Sequence, residues 1–132
     1  MERVFVDTSG WYALVDAQDA HHKIAKAWLT RNTLPLITTD YVFDETVTLI
    51  RMELGHTPAL EFGEKLRASS WAQLLVVTPE DRHQAWEIFK KFQDQRFSFT
   101  DCTSFAVMQR LGLRQVLTVD RHFQVMGFRP VI

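Results

Sequence analysis

What this chain lacks narrows its reading first. One cysteine among 132 residues excludes an internal disulfide framework and a cysteine-based zinc site, and it suits a reducing cytoplasm. A formal net charge of −1 leaves no overall basic excess, so nucleic-acid binding would have to rest on a local patch. No apolar stretch is long enough to span a bilayer, and no signal-peptide pattern opens the chain, so no membrane association is expected. Repeats, low-complexity tracts and linkers are missing too. What is there has an ordinary globular composition, 46% hydrophobic and 23% charged. The length suits one domain over residues 1–132 with a sizeable core.

The stretch from Phe97 to Phe128 organises the rest. It reads Phe97-Ser98-Phe99-Thr100-Asp101, then an apolar run with no breaker before Gly112, then Val116-Leu117-Thr118-Val119-Asp120. The run Cys102 to Leu111 predicts a helix buried on most sides, with Asp101 at its positive end. Asp120 ends a short apolar strand. In an open α/β sheet, strand carboxyl ends and helix starts share one edge, where sites form. Arg3 to Asp7 repeats the arrangement: an apolar strand, an acid, then Thr8, Ser9 and a short helix. Asp7 either caps that helix or belongs to a pocket, and a continuous apolar strand reads as central, favouring the pocket.

Helix is expected over Asp19–Arg31, with His21 and His22 as surface or capping residues. They point about 100° apart and make a poor chelating pair. A strand is expected over Leu34–Thr38, and a helix over Tyr41–Leu54 with Phe43, Val47, Ile50 and Leu54 facing the core. Glu45 starts a second apolar side with Leu49 and Met52, and periodicity leaves it either solvated or in a pocket. Asp44 beside it is a competing acid. A further helix spans Thr57–Ser70 with Pro58 at its first position, contributing Leu60, Phe62 and Leu66. These two helices either cover each other or share a two-fold interface in a homodimer. A strand follows at Gln73–Val77, then a strong helix start at Thr78-Pro79-Glu80-Asp81. Residues 127–132 read as an edge strand, because Pro130 suits no central position.

Alternating strands and helices define an α/β class with a mainly parallel sheet. Asp7, Asp101 and Asp120 fall at its carboxyl rim, and Glu45 is placed to reach it. Carboxylates crowded together repel unless a divalent cation neutralises them. Oxygen ligands suit Mg²⁺ or Mn²⁺, ions that serve phosphodiester or phosphoryl chemistry.

Val4-Phe5-Val6-Asp7-Thr8-Ser9, the helical Glu45, Phe99-Thr100-Asp101, and Leu117-Thr118-Val119-Asp120-Arg121-His122-Phe123 together resemble the motif series of PIN-domain ribonucleases. The VapC toxins of toxin–antitoxin pairs are the most similar group. The resemblance covers nearly the whole chain, and the ordered set is more specific than any piece. It implies a PIN-like three-layer α/β/α fold with about five strands and a Mg²⁺- or Mn²⁺-dependent endoribonuclease. It also implies a homodimer and a cognate antitoxin. Asp7, Glu45, Asp101 and Asp120 match the family's acidic site, with Asp7, Asp101 and Asp120 as metal ligands. Thr8, Ser9 and Thr118 match its polar support. Arg121 and His122 are candidates for touching RNA phosphate, although His122 reads more readily as a packed residue fixing the last loop. Val119 departs from relatives that carry a polar residue there.

Other readings fit less well. A haloacid-dehalogenase-type phosphatase needs an acid two residues after Asp7, where Ser9 stands. A receiver domain needs a late lysine, and none follows Lys91. A non-enzymatic PIN-like binding module would not need all four acids, and a stand-alone PIN ribonuclease of RNA processing would.

Overall fold

A computed structural model of the chain describes residues 2–132. Val4, Phe5 and Val6 are completely buried and form the central strand, β1 (Val4–Val6). Around it lie α1 (Thr8–Val15), α2 (His22–Arg31), β2 (Leu36–Thr39), α3 (Asp40–Leu54), α4 (His56–Arg67) and β3 (Gln73–Leu75). Then come α5 (Pro79–Lys91), α6 (Phe99–Leu111), β4 (Gln115–Leu117), α7 (His122–Val125) and β5 (Arg129–Pro130). The five strands run parallel in the order β3-β2-β1-β4-β5. This is the three-layer α/β/α arrangement expected. The chain builds outward from β1 to β3, then crosses to the other side of β1 to lay down β4. The strand order therefore switches between β1 and β4, and a crevice opens beyond their carboxyl ends.

Two contacts hold helices tightly against this edge. Gly10 in the first turn of α1 is pressed on β4, where any Cβ would collide with the Leu117 carbonyl. The α6 helix has every side chain from Cys102 to Met108 buried, so its start is held against the sheet. An aromatic train continues this packing: Phe97 meets Phe105 edge-on at 5.0 Å, and Phe105 meets Phe123 at 4.9 Å.

Several boundaries differ from the sequence expectation. The α2 helix begins at His22, because Asp19 folds back to accept the His21 amide at 2.8 Å. His22 Nδ1 reaches the Ala13 carbonyl at 2.8 Å. Strand β2 starts only at Leu36, since Pro35 has no amide to pair and Leu34 is bonded to Asn32. On α3 the deepest line is Val42, Thr46 and Ile50; Phe43 and Val47 are half-buried beside α4, and Leu54 is exposed. The buried Thr46 hydroxyl donates to the Val42 carbonyl at 2.7 Å, which lets a polar residue occupy the core line. Gly55, at φ 108°, ends α3 and starts α4 at His56, so Pro58 is its third residue, not its first. The α4 helix stops at Arg67, and β3 at Leu75. Phe62 and Leu66 turn into the core, whereas Leu60 is exposed and Met52 is 76% exposed. Among the described residues, no helix is long and apolar enough to cross a membrane.

Candidate active site

The site is built outward from Asp7, the residue that follows β1. Its carboxylate caps α1 and also bonds to Thr118 beyond β4. Oδ1 accepts the Gly10 amide and the Ser9 hydroxyl, each at 2.9 Å, and Oδ2 accepts the Thr118 hydroxyl at 2.9 Å. Only 5% of the residue is exposed. Burial raises its carboxyl pKa from 3.8 to about 7; the charge of Asp120 adds to the rise, and the three hydrogen bonds offset part of it.

Thr118 joins two acids. Its hydroxyl donates to Asp7 and accepts the Asp120 amide at 2.9 Å, so a single buried oxygen fixes where the chain turns after β4. Ser9 locks the same turn by accepting the Val119 amide at 3.0 Å. Val119 thus meets the support through its backbone, and its side chain faces outward. The third supporting hydroxyl, Thr8, donates to Glu45 Oε1 at 2.5 Å. Glu45 is half-buried and tied to the residue after Asp7, whereas Asp44 is exposed.

Asp101 comes from the first turn of α6. Ser98 is the cap, and Asp101 completes a reciprocal capping box by accepting the Ser98 amide at 3.0 Å. Burial raises its carboxyl pKa and Asp120 adds to that, against the Ser98 amide and His122. Asp120 Oδ1 accepts the His122 amide at 2.8 Å. Between the two acids stands the His122 ring. Its Nδ1 lies 3.0 Å from Asp101 Oδ2 and 3.2 Å from Asp120 Oδ1. Facing two acceptors, that nitrogen carries the proton. Phe97 fixes the ring edge-on at 5.2 Å.

Asp101, Asp120 and His122 offer ligand atoms all within 4.8 Å of one another. Asp7 reaches this trio through Thr118, and Glu45 reaches Asp7 through Thr8. The structure thus gathers all four acids and all three hydroxyls at the β1/β4 edge. His122 is drawn into the acidic pair instead of projecting outward. The Asp120-x-His122 spacing over the start of α7 was the signal for it. Arg121 stays exposed beside Asp120.

A crevice of carboxylates at a parallel-sheet switch point is a place for cation-assisted phosphate chemistry. The chain matches the PIN domain over residues 4–129 and belongs to that family, among its VapC-like ribonucleases. It is 36% identical over 128 residues to the 23S rRNA-specific endonuclease VapC20 of Mycobacterium tuberculosis, covering 97% of each chain. It is 28% identical over 129 residues to ribonuclease VapC26 of the same organism, covering 97% of this chain and 93% of the relative. The crystal structure of M. tuberculosis VapC20, a Sarcin-Ricin loop cleaving toxin, superposes with a TM-score of 0.90 at 35% identity over 95% of each chain. FitAcB from Neisseria gonorrhoeae shares the fold alone, with a TM-score of 0.70 at 15% identity, covering 96% of this chain and 95% of that one.

Proposed function

We propose that this chain is the endoribonuclease toxin of a toxin–antitoxin pair, hydrolysing RNA at the edge where Asp7, Glu45, Asp101 and Asp120 meet. The observation that carries this reading is the junction of Asp7 and Asp120 on one buried hydroxyl, Thr118, with Asp101 beside them. Capping accounts for Asp7 and Asp101 one helix at a time, but it does not require Asp120 and Glu45 to join them at one edge, and burial raises the Asp7 carboxyl pKa to about 7.

The donor set fits a divalent cation. Asp101 and Asp120 lie within 4.8 Å of each other together with His122, and carboxylate oxygens suit Mg²⁺ or Mn²⁺. Asp7, Asp101 and Asp120 would hold it, with His122 keeping the last two aligned. When bound, the cation supplies positive charge against the scissile phosphate and lowers the pKa of water. Glu45 lies outside the tight trio, steadied by Thr8, and is the carboxylate that takes the attacking water's proton. The water oxygen joins phosphorus, the phosphorus–oxygen bond to the leaving ribose breaks, and the leaving oxygen takes a proton. The capping box and the Ser9 and Thr118 bonds keep three acids in register, so little reorganisation is needed during the reaction.

The specificity of VapC20 makes 23S rRNA the first substrate to offer. Purified protein should cut rRNA with Mg²⁺ or Mn²⁺, stop on chelation, and lose activity in Asp7→Asn. Full cleavage by a clean Asp7→Asn preparation would sink the site.

For the antitoxin, an apolar groove of about 610 Å³ between α1, α2 and α4 offers a seat, lined by Trp11, Leu14, Val15, Leu29, Phe62 and Trp71. For the homodimer, the strongest exposed apolar pair is Trp86 and Phe89 on α5, stacked at 5.5 Å.

A further inference from the structure

A second groove, of about 330 Å³, opens directly onto the acidic edge. Asp120 and Thr118 are among the residues that line it. Arg121 on the α7 side and Arg129 on β5 supply its charge, with Gln124 beside them, while Ile24 and Val119 offer apolar surface. Among the described residues, neither Arg121 nor Arg129 takes part in an ion pair or a side-chain hydrogen bond. Arg110 differs, being held by Asp81 at 2.7 and 2.8 Å. Both guanidinium groups thus retain their donors for an outside acceptor.

The charge balance makes this placement consequential. Four acids at the reacting edge repel a polyanion, and the chain as a whole has a formal net charge of −1. An RNA strand therefore needs cations close to the edge. The groove supplies two, one of them adjacent in sequence to Asp120. Its mixed character also matches a nucleotide: Ile24 and Val119 are large apolar side chains left about half or more than a third exposed. A base can rest on them while its phosphate meets the arginines. The apolar residue before the last acid then acquires a purpose that the site itself did not give it.

We propose that the groove formed by Arg121, Gln124 and Arg129 with Ile24 and Val119 seats the RNA nucleotide next to the scissile phosphate. This inference rests on the ribonuclease reading above. Arg121→Gln and Arg129→Gln, made singly and together, remove charge from exposed side chains and should leave the melting temperature unchanged.

The assay is steady-state cleavage of rRNA across a sodium chloride series. Each substitution should raise KM about tenfold with kcat nearly constant. It should also flatten the dependence of log kcat/KM on log salt by about 0.7 per arginine removed. Arg129→Lys should recover most of the salt dependence. Arg67→Gln, on α4 and away from this groove, should change nothing. A wild-type protein that cleaves no RNA overturns the ribonuclease reading. An active protein whose KM and salt slope ignore both substitutions, or whose kcat alone falls, overturns the groove.

Discussion

Asp7 is the residue at which stability and function pull against each other. Its carboxyl pKa is raised from 3.8 to about 7, chiefly by burial, so the sign of its pH dependence is fixed. Below pH about 4 the group is protonated whether the chain is folded or not, and it contributes no difference. Between about 4 and 7 the unfolded chain has lost that proton while the folded one keeps it, so stability falls as pH rises. Above about 7 the deficit is constant, on the order of 4 kcal/mol at 1.36 kcal/mol per unit. Asp101 adds a shift of the same sign, and Asp81, whose pKa is lowered mainly by Arg110, acts oppositely. The clean measurement is therefore a difference: melting temperature of wild type minus Asp7→Asn, in chelator, from pH 5 to pH 8. Asparagine keeps an acceptor for the Gly10 amide and removes the charge. The variant should gain on wild type as pH rises, and Mg²⁺ or Mn²⁺ should narrow the gap by stabilising the wild-type native state. A difference that is flat with pH would mean that Asp7 is not held near neutrality. The place of this residue after a buried strand was legible in the sequence, which left two readings for it, cap or pocket, and the carboxylate does cap α1. The place of His122 was not: its spacing from Asp120 was visible, but only folding brings Asp101, from another helix, to the same ring nitrogen.

At the scale of elements, the site depends on how closely α1 and α6 approach the β1/β4 edge. Gly10 sets the first approach. A methyl group there would strike the Leu117 carbonyl, backbone that cannot rotate away, although Ala is the better helix former in isolation. Gly10→Ala should therefore destabilise by about 1–3 kcal/mol, the usual scale for overpacking. It should also lower cleavage under conditions where the protein remains folded, since the Asp7–Thr118 bond must lengthen. Thermal unfolding paired with cleavage at low temperature separates the two effects, and an unchanged melting temperature would show that the approach is looser than the structure indicates. The elements themselves were mostly readable. The helix start at Thr78 follows a local rule, as does the edge strand at Pro130, whereas α6 begins at Phe99 with Ser98 as its cap, earlier than the start expected at Asp101 and Cys102. The inner line of α3 was misread because Thr46 hides its hydroxyl by bonding to Val42, a device that hydrophobic periodicity does not register. The start of α4 was misread because Gly55 serves two helices at once. In both cases the deciding partner lies within the chain's own backbone geometry, not in residue type.

For the whole molecule, the parallel sheet followed from alternating strands and helices, but outward-facing surfaces did not. The sequence placed the surplus apolar strip on α3 and α4. Folding turns Phe62 and Leu66 of that strip into the core, leaving Met52 and Leu60 as separate exposed residues. The larger exposed apolar feature is on α5. Trp86 and Phe89 stack at 5.5 Å, and both meet Phe99 edge-on at 6.3 Å, two residues before Asp101. Aromatic anchors carry most of the energy of protein interfaces, and single exposed aliphatic residues carry little. A two-fold axis at α5 would bury four such rings. Because a two-fold contact uses the same patch twice, one substitution acts on both sides. If the proposed homodimer uses this patch, Trp86→Glu should convert it to monomer in sedimentation velocity, with the melting temperature of the monomer little changed because Trp86 is 50% exposed. Met52→Glu should leave the dimer intact. The opposite pair of results would return the interface to α3 and α4, and a wild-type chain that sediments as a monomer at micromolar concentration would leave the α5 aromatics to another partner.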